Sequence, residues 1–142
     1  VTKVFGAGPQ AVRALNAVDL EIRQGEFLAL VGPSGSGKTT FLNLAGALDV
    51  PTAGELTVLG RRITDLSRRA RAELRLHSIG FVFQAFNLVP VLTARENVEF
   101  VLELQGVGAG RRERAREILA DLATSGTTAH DIGRFSLRRF EF

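Results

Sequence analysis

The sequence predicts an α/β fold, and three observations predict it. Phe27-Leu28-Ala29-Leu30-Val31 is a short continuous apolar run, as a parallel strand buried on both faces requires. Thr40-Phe41-Leu42-Asn43-Leu44-Ala45-Gly46-Ala47-Leu48 follows with apolar residues at helical spacing. Ser78-Ile79-Gly80-Phe81-Val82-Phe83-Gln84 reads as a second buried strand that ends on a polar residue.

Between the first strand and the helix lies Gly32-Pro33-Ser34-Gly35-Ser36-Gly37-Lys38-Thr39-Thr40, which fits G-x-x-x-x-G-K-[ST] at Gly32, Gly37, Lys38 and Thr39. The spacing lets successive backbone N–H groups turn inward around a polyphosphate, and glycines allow both the tight turn and the close approach. Lys38 would bring a point positive charge to the β- and γ-phosphates, and the Thr39 hydroxyl would ligate Mg²⁺. A helix opening near Lys38 aims its positive end at the same anion. Strand, glycine loop and helix is the context that separates a phosphate-binding loop from a chance match.

The remaining elements read off in order. Val18, Leu20 and Ile22 alternate with Asp19, Glu21 and Arg23, a half-exposed strand that turns at Gln24-Gly25. Val50-Pro51-Thr52-Ala53-Gly54 is a turn, and Glu55 to Leu59 a strand. Leu66 to Leu76 is a short amphipathic helix. Thr93 and Glu96 form a capping box that opens a helix running to about Leu104. Gly106 to Gly110 breaks it, and Arg111 to about Leu122 forms another, with Ile118, Leu119 and Leu122 on one face. Residues 123–142 lack a clear period, apart from a weak alternation through Phe135, Leu137, Phe140 and Phe142.

Composition narrows the function classes. The 142 residues suffice for one compact domain. No apolar run approaches the roughly 18 residues of a membrane span. There are no cysteines, which excludes a disulfide framework and thiolate metal sites. With no secretory signal ahead of the first motif, this points to a cytosolic protein. Sixteen arginines stand against two lysines, and they cluster between Arg61 and Arg75 and between Arg111 and Arg116. Glu73, Glu113 and Glu117 sit among them and no aromatics interleave, so the clusters read as solvated helix faces and not as a nucleic-acid surface.

With the phosphate loop and Phe81-Val82-Phe83-Gln84 both in view, the chain resembles an ABC-transporter ATPase subunit. The strings LAGALDVPTAGELTVLG and IGFVFQAFNLVPVLTARENV are most similar to the lipoprotein-releasing and macrolide-export branch. The resemblance runs from about Val1 to Leu122. It implies a partial P-loop ATPase core with a small antiparallel β piece and the start of a helical subdomain. Residues 1–122 would be the N-terminal part of an ATP-binding domain, and 123–142 a divergent tail. ATP and Mg²⁺ are the implied cofactors, with Gln84 as the Q-loop glutamine near Mg²⁺ and the γ-phosphate and Phe5 as the aromatic that stacks on adenine. Phe86 to Pro90 and the following helix start match the surface that meets a transmembrane permease. A second ATP-binding subunit is the other implied partner, and the implied location is the cytoplasmic face of the cell membrane.

The departures from the family pattern bear on catalysis. No Leu-Ser-Gly-Gly-Gln signature loop follows Leu122, and Thr124-Ser125-Gly126 does not replace it. No later apolar strand ends in Asp-Glu, and His130 lacks the context of a switch histidine. The sequence therefore leaves two readings open: the ATP-binding part of an exporter's motor, or a truncated module that binds nucleotide or partner without hydrolysis. A kinase or GTPase fits less well, because the Q-loop string is present and Asn-Lys-x-Asp is not.

Overall fold

In the computed structural model, which describes residues 1–83 and 87–124, the chain opens on an antiparallel hairpin of β1 (Lys3–Phe5) and β2 (Val12–Leu15). Lys3 pairs with Leu15, Val4 with Arg13 and Phe5 with Val12. One step on β1 thus spans two on β2, and Ala14 is the extra residue of a bulge. The far edge of β1 is held as well. The Thr2 N–H donates to the Ala53 carbonyl at 2.8 Å, and the Val4 N–H to Thr52 Oγ1 at 3.0 Å.

The hairpin belongs to the first of two compact units, Val1–Arg75 and Leu76–Phe142. Helix α1 (Lys38–Ala45) begins at the residue after Gly37. A small hairpin of β3 (Thr57–Val58) and β4 (Arg61–Arg62) turns on Leu59 and Gly60, both with positive φ. Helix α2 (Arg68–Ser78) starts two residues later than its apolar pattern predicts, because Ser67 Oγ accepts from the Ala70 N–H at 3.1 Å and caps it. Leu15, Leu44, Ala47, Ile63 and Leu74 are the buried apolar residues of this unit.

The second unit is built on α3 (Ala94–Leu104) and α4 (Arg111–Thr124), which pack against each other and bury Leu102, Ala115 and Leu122. The capping box is formed as the sequence requires: Thr93 Oγ1 accepts from the Glu96 N–H, and Glu96 Oε2 from the Thr93 N–H at 2.7 Å. The expected helices at 93–104 and 111–122 are therefore present.

The strands expected at Val18–Ile22, Phe27–Val31 and Ile79–Phe83 are not part of any ladder, and the one expected at Glu55–Leu59 is reduced to β3. Phe27 is 92% exposed and Val31 93%. The reason is physical. A parallel strand takes its hydrogen bonds and its cover from neighbours on both sides. Among the described residues no strand flanks these runs. Gln84, Phe86 and the alternation in 135–142 lie outside the described residues.

Candidate nucleotide site

The loop from Gly32 to Gly37 is shaped by two contacts. The Ser36 N–H closes a turn onto the Pro33 carbonyl at 3.3 Å. Gly37 then takes φ +89°, left-handed, as the residue that opens α1. The bulge at Ala14 brings β2 against it: a Cβ on Gly37 would stand 2.5 Å from the Ala14 carbonyl oxygen. Gly32 is also constrained, since a Cβ there would meet Ser36 Oγ at 2.8 Å.

Lys38 folds back over this loop. Its Nζ donates to the carbonyls of Gly32 and Pro33, each at 2.7 Å, and to Ser36 Oγ at 3.3 Å. All three ammonium protons are thereby engaged.

Helix α1 has no side-chain cap. Within the described residues, no hydrogen bond engages the amides of Ser34, Gly35, Gly37, Lys38, Thr39 or Thr40. Six such N–H donors leading into a helix are the kind of group that an anion requires, and the helix dipole adds to them. The residues present fit a polyphosphate. Thr39 is exposed on the first turn of α1, where its hydroxyl is open to a hard cation.

Phe5 lies in the same unit. It pairs with Val12, two residues before the bulge that touches Gly37, which is about 7 Å along a strand. Its ring is half-exposed, and the Lys3 ammonium lies 5.1 Å from its centroid. That ammonium also meets Asp49 Oδ2 at 2.7 Å and the Val50 carbonyl at 2.8 Å. Burial pushes the Asp49 carboxyl up, but the Lys3 hydrogen bond, the Val50 N–H and the charges of Lys3 and Arg71 outweigh it and hold the group below its ordinary value. This support behind Phe5 escaped sequence reasoning, because Lys3 and Val50 are 47 residues apart.

In the second unit the turn after the Gln84 string is pinned by a residue the sequence reading passed over. Asn97, 9% exposed, accepts the Val89 N–H at 2.8 Å. Its amide donates to the carbonyls of Val89, Leu92 and Thr93 at 3.0 to 3.3 Å. Leu88, Val89 and Val91 are exposed on that turn.

Comparison with known proteins places this geometry. The family model described as ABC transporter matches residues 15–137. The chain is 48% identical over 122 residues to a lipoprotein-releasing system ATP-binding protein, LolD 1, of Caulobacter vibrioides, covering 84% of this chain and 52% of that protein. It is 45% identical over 131 residues to the macrolide export ATP-binding/permease protein MacB of Marinobacter nauticus, covering 92% of this chain and 20% of that protein. Among solved structures it resembles the dimeric, post-hydrolysis ATP-binding cassette MJ0796 bound to ADP and Pi, with a TM-score of 0.78 and 40% identity. That match covers 99% of this chain and 61% of the other. The chain thus spans about half the length of its LolD relative. With the family model matched over residues 15–137, most of its length, the chain belongs to the ABC transporter family, in its ATP-binding part.

Proposed function

We propose that the chain binds Mg·ATP through Gly32–Thr40, as part of the motor of an exporter related to the lipoprotein-releasing and macrolide systems. The observation that carries this reading is the set of six unengaged amides at the uncapped start of α1, with Lys38 folded over the same loop. Pro33, Ser34, Gly35 and Ser36 would line the phosphates, with Lys38 and Thr40 beside them. Thr39 would hold Mg²⁺, joined by Gln84, and Phe5 would face the base. When bound, Mg²⁺ neutralises charge on the outer phosphates.

Hydrolysis asks for more than this loop. It needs a base for the attacking water and donors on the transferred phosphoryl group. The 142 residues contain neither an Asp-Glu strand end nor a signature loop, so we assign them binding without turnover. The exposed turn at Leu88, Val89 and Val91 is the surface we assign to a membrane permease. A second ATP-binding subunit and a peripheral position at the cytoplasmic face of the membrane complete the reading. No described helix is long and apolar enough to cross a membrane itself.

The test is nucleotide titration of the full chain carried on a soluble fusion partner, with and without Mg²⁺. Mg·ATP binding that disappears in Lys38→Ala, with phosphate release at the level of a no-protein control, is the expected result. Equal affinity in wild type and Lys38→Ala would overturn the site. Steady phosphate release that vanishes in Lys38→Ala would overturn the assignment of binding without turnover.

A further inference from the structure

We propose that Lys3 is a positioning residue that fixes the Phe5 ring for stacking on the base of a nucleoside triphosphate. The proposal rests on the nucleotide-binding reading above and goes beyond it by naming what orients the base platform.

A half-exposed phenyl ring on a three-residue strand has no reason of its own to hold one rotamer. Here one face of the ring is occupied by a cation 5.1 Å from its centroid. The cation is itself fixed from two further sides, by Asp49 Oδ2 at 2.7 Å and the Val50 carbonyl at 2.8 Å. Its side chain is only 11% exposed. The strand beneath is held at both edges, by β2 and by the Thr52 hydroxyl. Backbone, cation and ring are therefore all ordered before a ligand arrives. Pre-ordering lowers the entropic cost of stacking. The ring is 45% exposed, which leaves surface for a flat base. The neighbouring carboxylate offsets the charge of Lys3, so its effect falls on the base and not on the phosphates.

That division supplies the test. Mg²⁺-dependent binding of ATP and of inorganic tripolyphosphate is measured on the full, carrier-fused chain for wild type, Phe5→Ala, Lys38→Ala and Lys3→Met. The double variant Lys3→Met/Asp49→Asn is added because it leaves no carboxylate without its ammonium partner and keeps the charge balanced. Wild type should bind ATP more tightly than tripolyphosphate, and Phe5→Ala should erase the difference. Both Lys3 variants should weaken ATP by about 3- to 10-fold, the scale of a partly buried cation–π contact, and leave tripolyphosphate unchanged. Unchanged ATP affinity in the Lys3 variants would overturn the proposal. Loss of both ligands in both variants would also overturn it, by making Lys3 a folding residue. If Phe5→Ala leaves ATP binding intact while Lys38→Ala abolishes it, the phosphate site stands and the base platform falls, taking this proposal with it. Binding that ignores Lys38→Ala would remove the nucleotide reading itself.

Discussion

Gly37 and Ala14 meet backbone to backbone. The carbonyl oxygen of Ala14, the extra residue of the β2 bulge, occupies the space that a Cβ at position 37 would need, with Leu15 Cδ2 at 3.1 Å behind it. Gly37 also sits at φ +89°. Gly37→Ala therefore carries two penalties, left-handed strain and a clash with backbone that cannot rotate away. We expect a loss of about 2–4 kcal/mol in urea unfolding, together with loss of Mg·ATP binding. Gly35 is the control. Its φ is +79°, but a Cβ there meets nothing within 4 Å. Gly35→Ala should cost strain alone, about 1–2 kcal/mol. Equal losses at the two positions would show that the Ala14 contact does not matter.

The chain should lose stability in acid over a window set by two carboxylates. Asp49 is held below its ordinary 3.8 and Glu96 below its ordinary 4.5, the latter first by its hydrogen bond to the Thr93 side chain. A depressed folded-state value means that the unfolded chain binds the proton more readily. The contribution is thus complete above the ordinary value and fades as pH falls through the folded one. We expect stability to be level from neutral pH to about 5 and to decline below that. Asp49→Asn and Glu96→Gln should each flatten the decline. A decline of unchanged slope in the double variant would assign the acid sensitivity to other groups.

What the sequence disclosed follows from how local each feature is. The loop from Gly32 to Thr39 is one continuous segment whose residues dictate its own turn, so its pattern reads directly. Thr93 and Glu96 are three residues apart and cap each other regardless of the rest of the fold. The bulge at Ala14 and the pairing of Lys3 with Asp49 are tertiary outcomes, and no local pattern announces them. Asn97 was in plain sight inside a quoted string, but its role depends on carbonyls that only the folded turn brings to it. The apolar runs at Phe27–Val31 and Ile79–Phe83 need cover on both faces, and their composition says so. Their ladders do not form because flanking strands, and not the runs themselves, supply the hydrogen bonds.

The same exposure predicts self-association. Phe27 and Val31 present nearly their whole side chains to solvent on a segment without a strand partner among the described residues, which is an invitation to pair with another chain. After removal of the fusion carrier, the chain should scatter light within hours at micromolar concentration. Phe27→Lys/Val31→Lys should slow that growth at least several-fold. A carrier-free wild type that remains monomeric and melts cooperatively would overturn the expectation.

The turn of the β3–β4 hairpin offers a stabilising change. Leu59 takes φ +50° and Gly60 +72°, the pair of positive angles found in type I′ turns. Asn tolerates that first position far better than Leu, and Leu59 is exposed, so little burial is lost. Leu59→Asn should stabilise the chain by about 0.5–1 kcal/mol in urea unfolding. Leu59→Val, β-branched and worse suited to positive φ, should destabilise it.

The turn from Val89 to Thr93 depends on Asn97. One side chain satisfies the Val89 N–H and contributes donors to three carbonyls, from a position almost removed from solvent. Asn97→Ala removes all of these at once; the Val89 and Thr93 carbonyls keep the Leu92 and Asn97 backbone N–H groups, but the partly buried Val89 N–H and Leu92 carbonyl lose their partner, a loss of about 2–3 kcal/mol. Asn97→Asp retains an acceptor for Val89 but turns a carboxylate toward carbonyl oxygens, so it should rescue little. Hydrogen exchange should show the Val89 amide losing protection in Asn97→Ala and losing less in Asn97→Asp, while helix α3 beyond Leu102 changes less in both. If the turn is the permease contact proposed above, the same substitutions in a transporter assembled with its membrane partner should reduce transport and leave ATP affinity intact. Leu88→Asp should do likewise without loosening the turn, because Leu88 is exposed on it and is not part of the Asn97 network. Transport unaffected by Leu88→Asp would remove this turn from the coupling surface. Transport lost only in the Asn97 variants would trace the effect to the fold of the second unit.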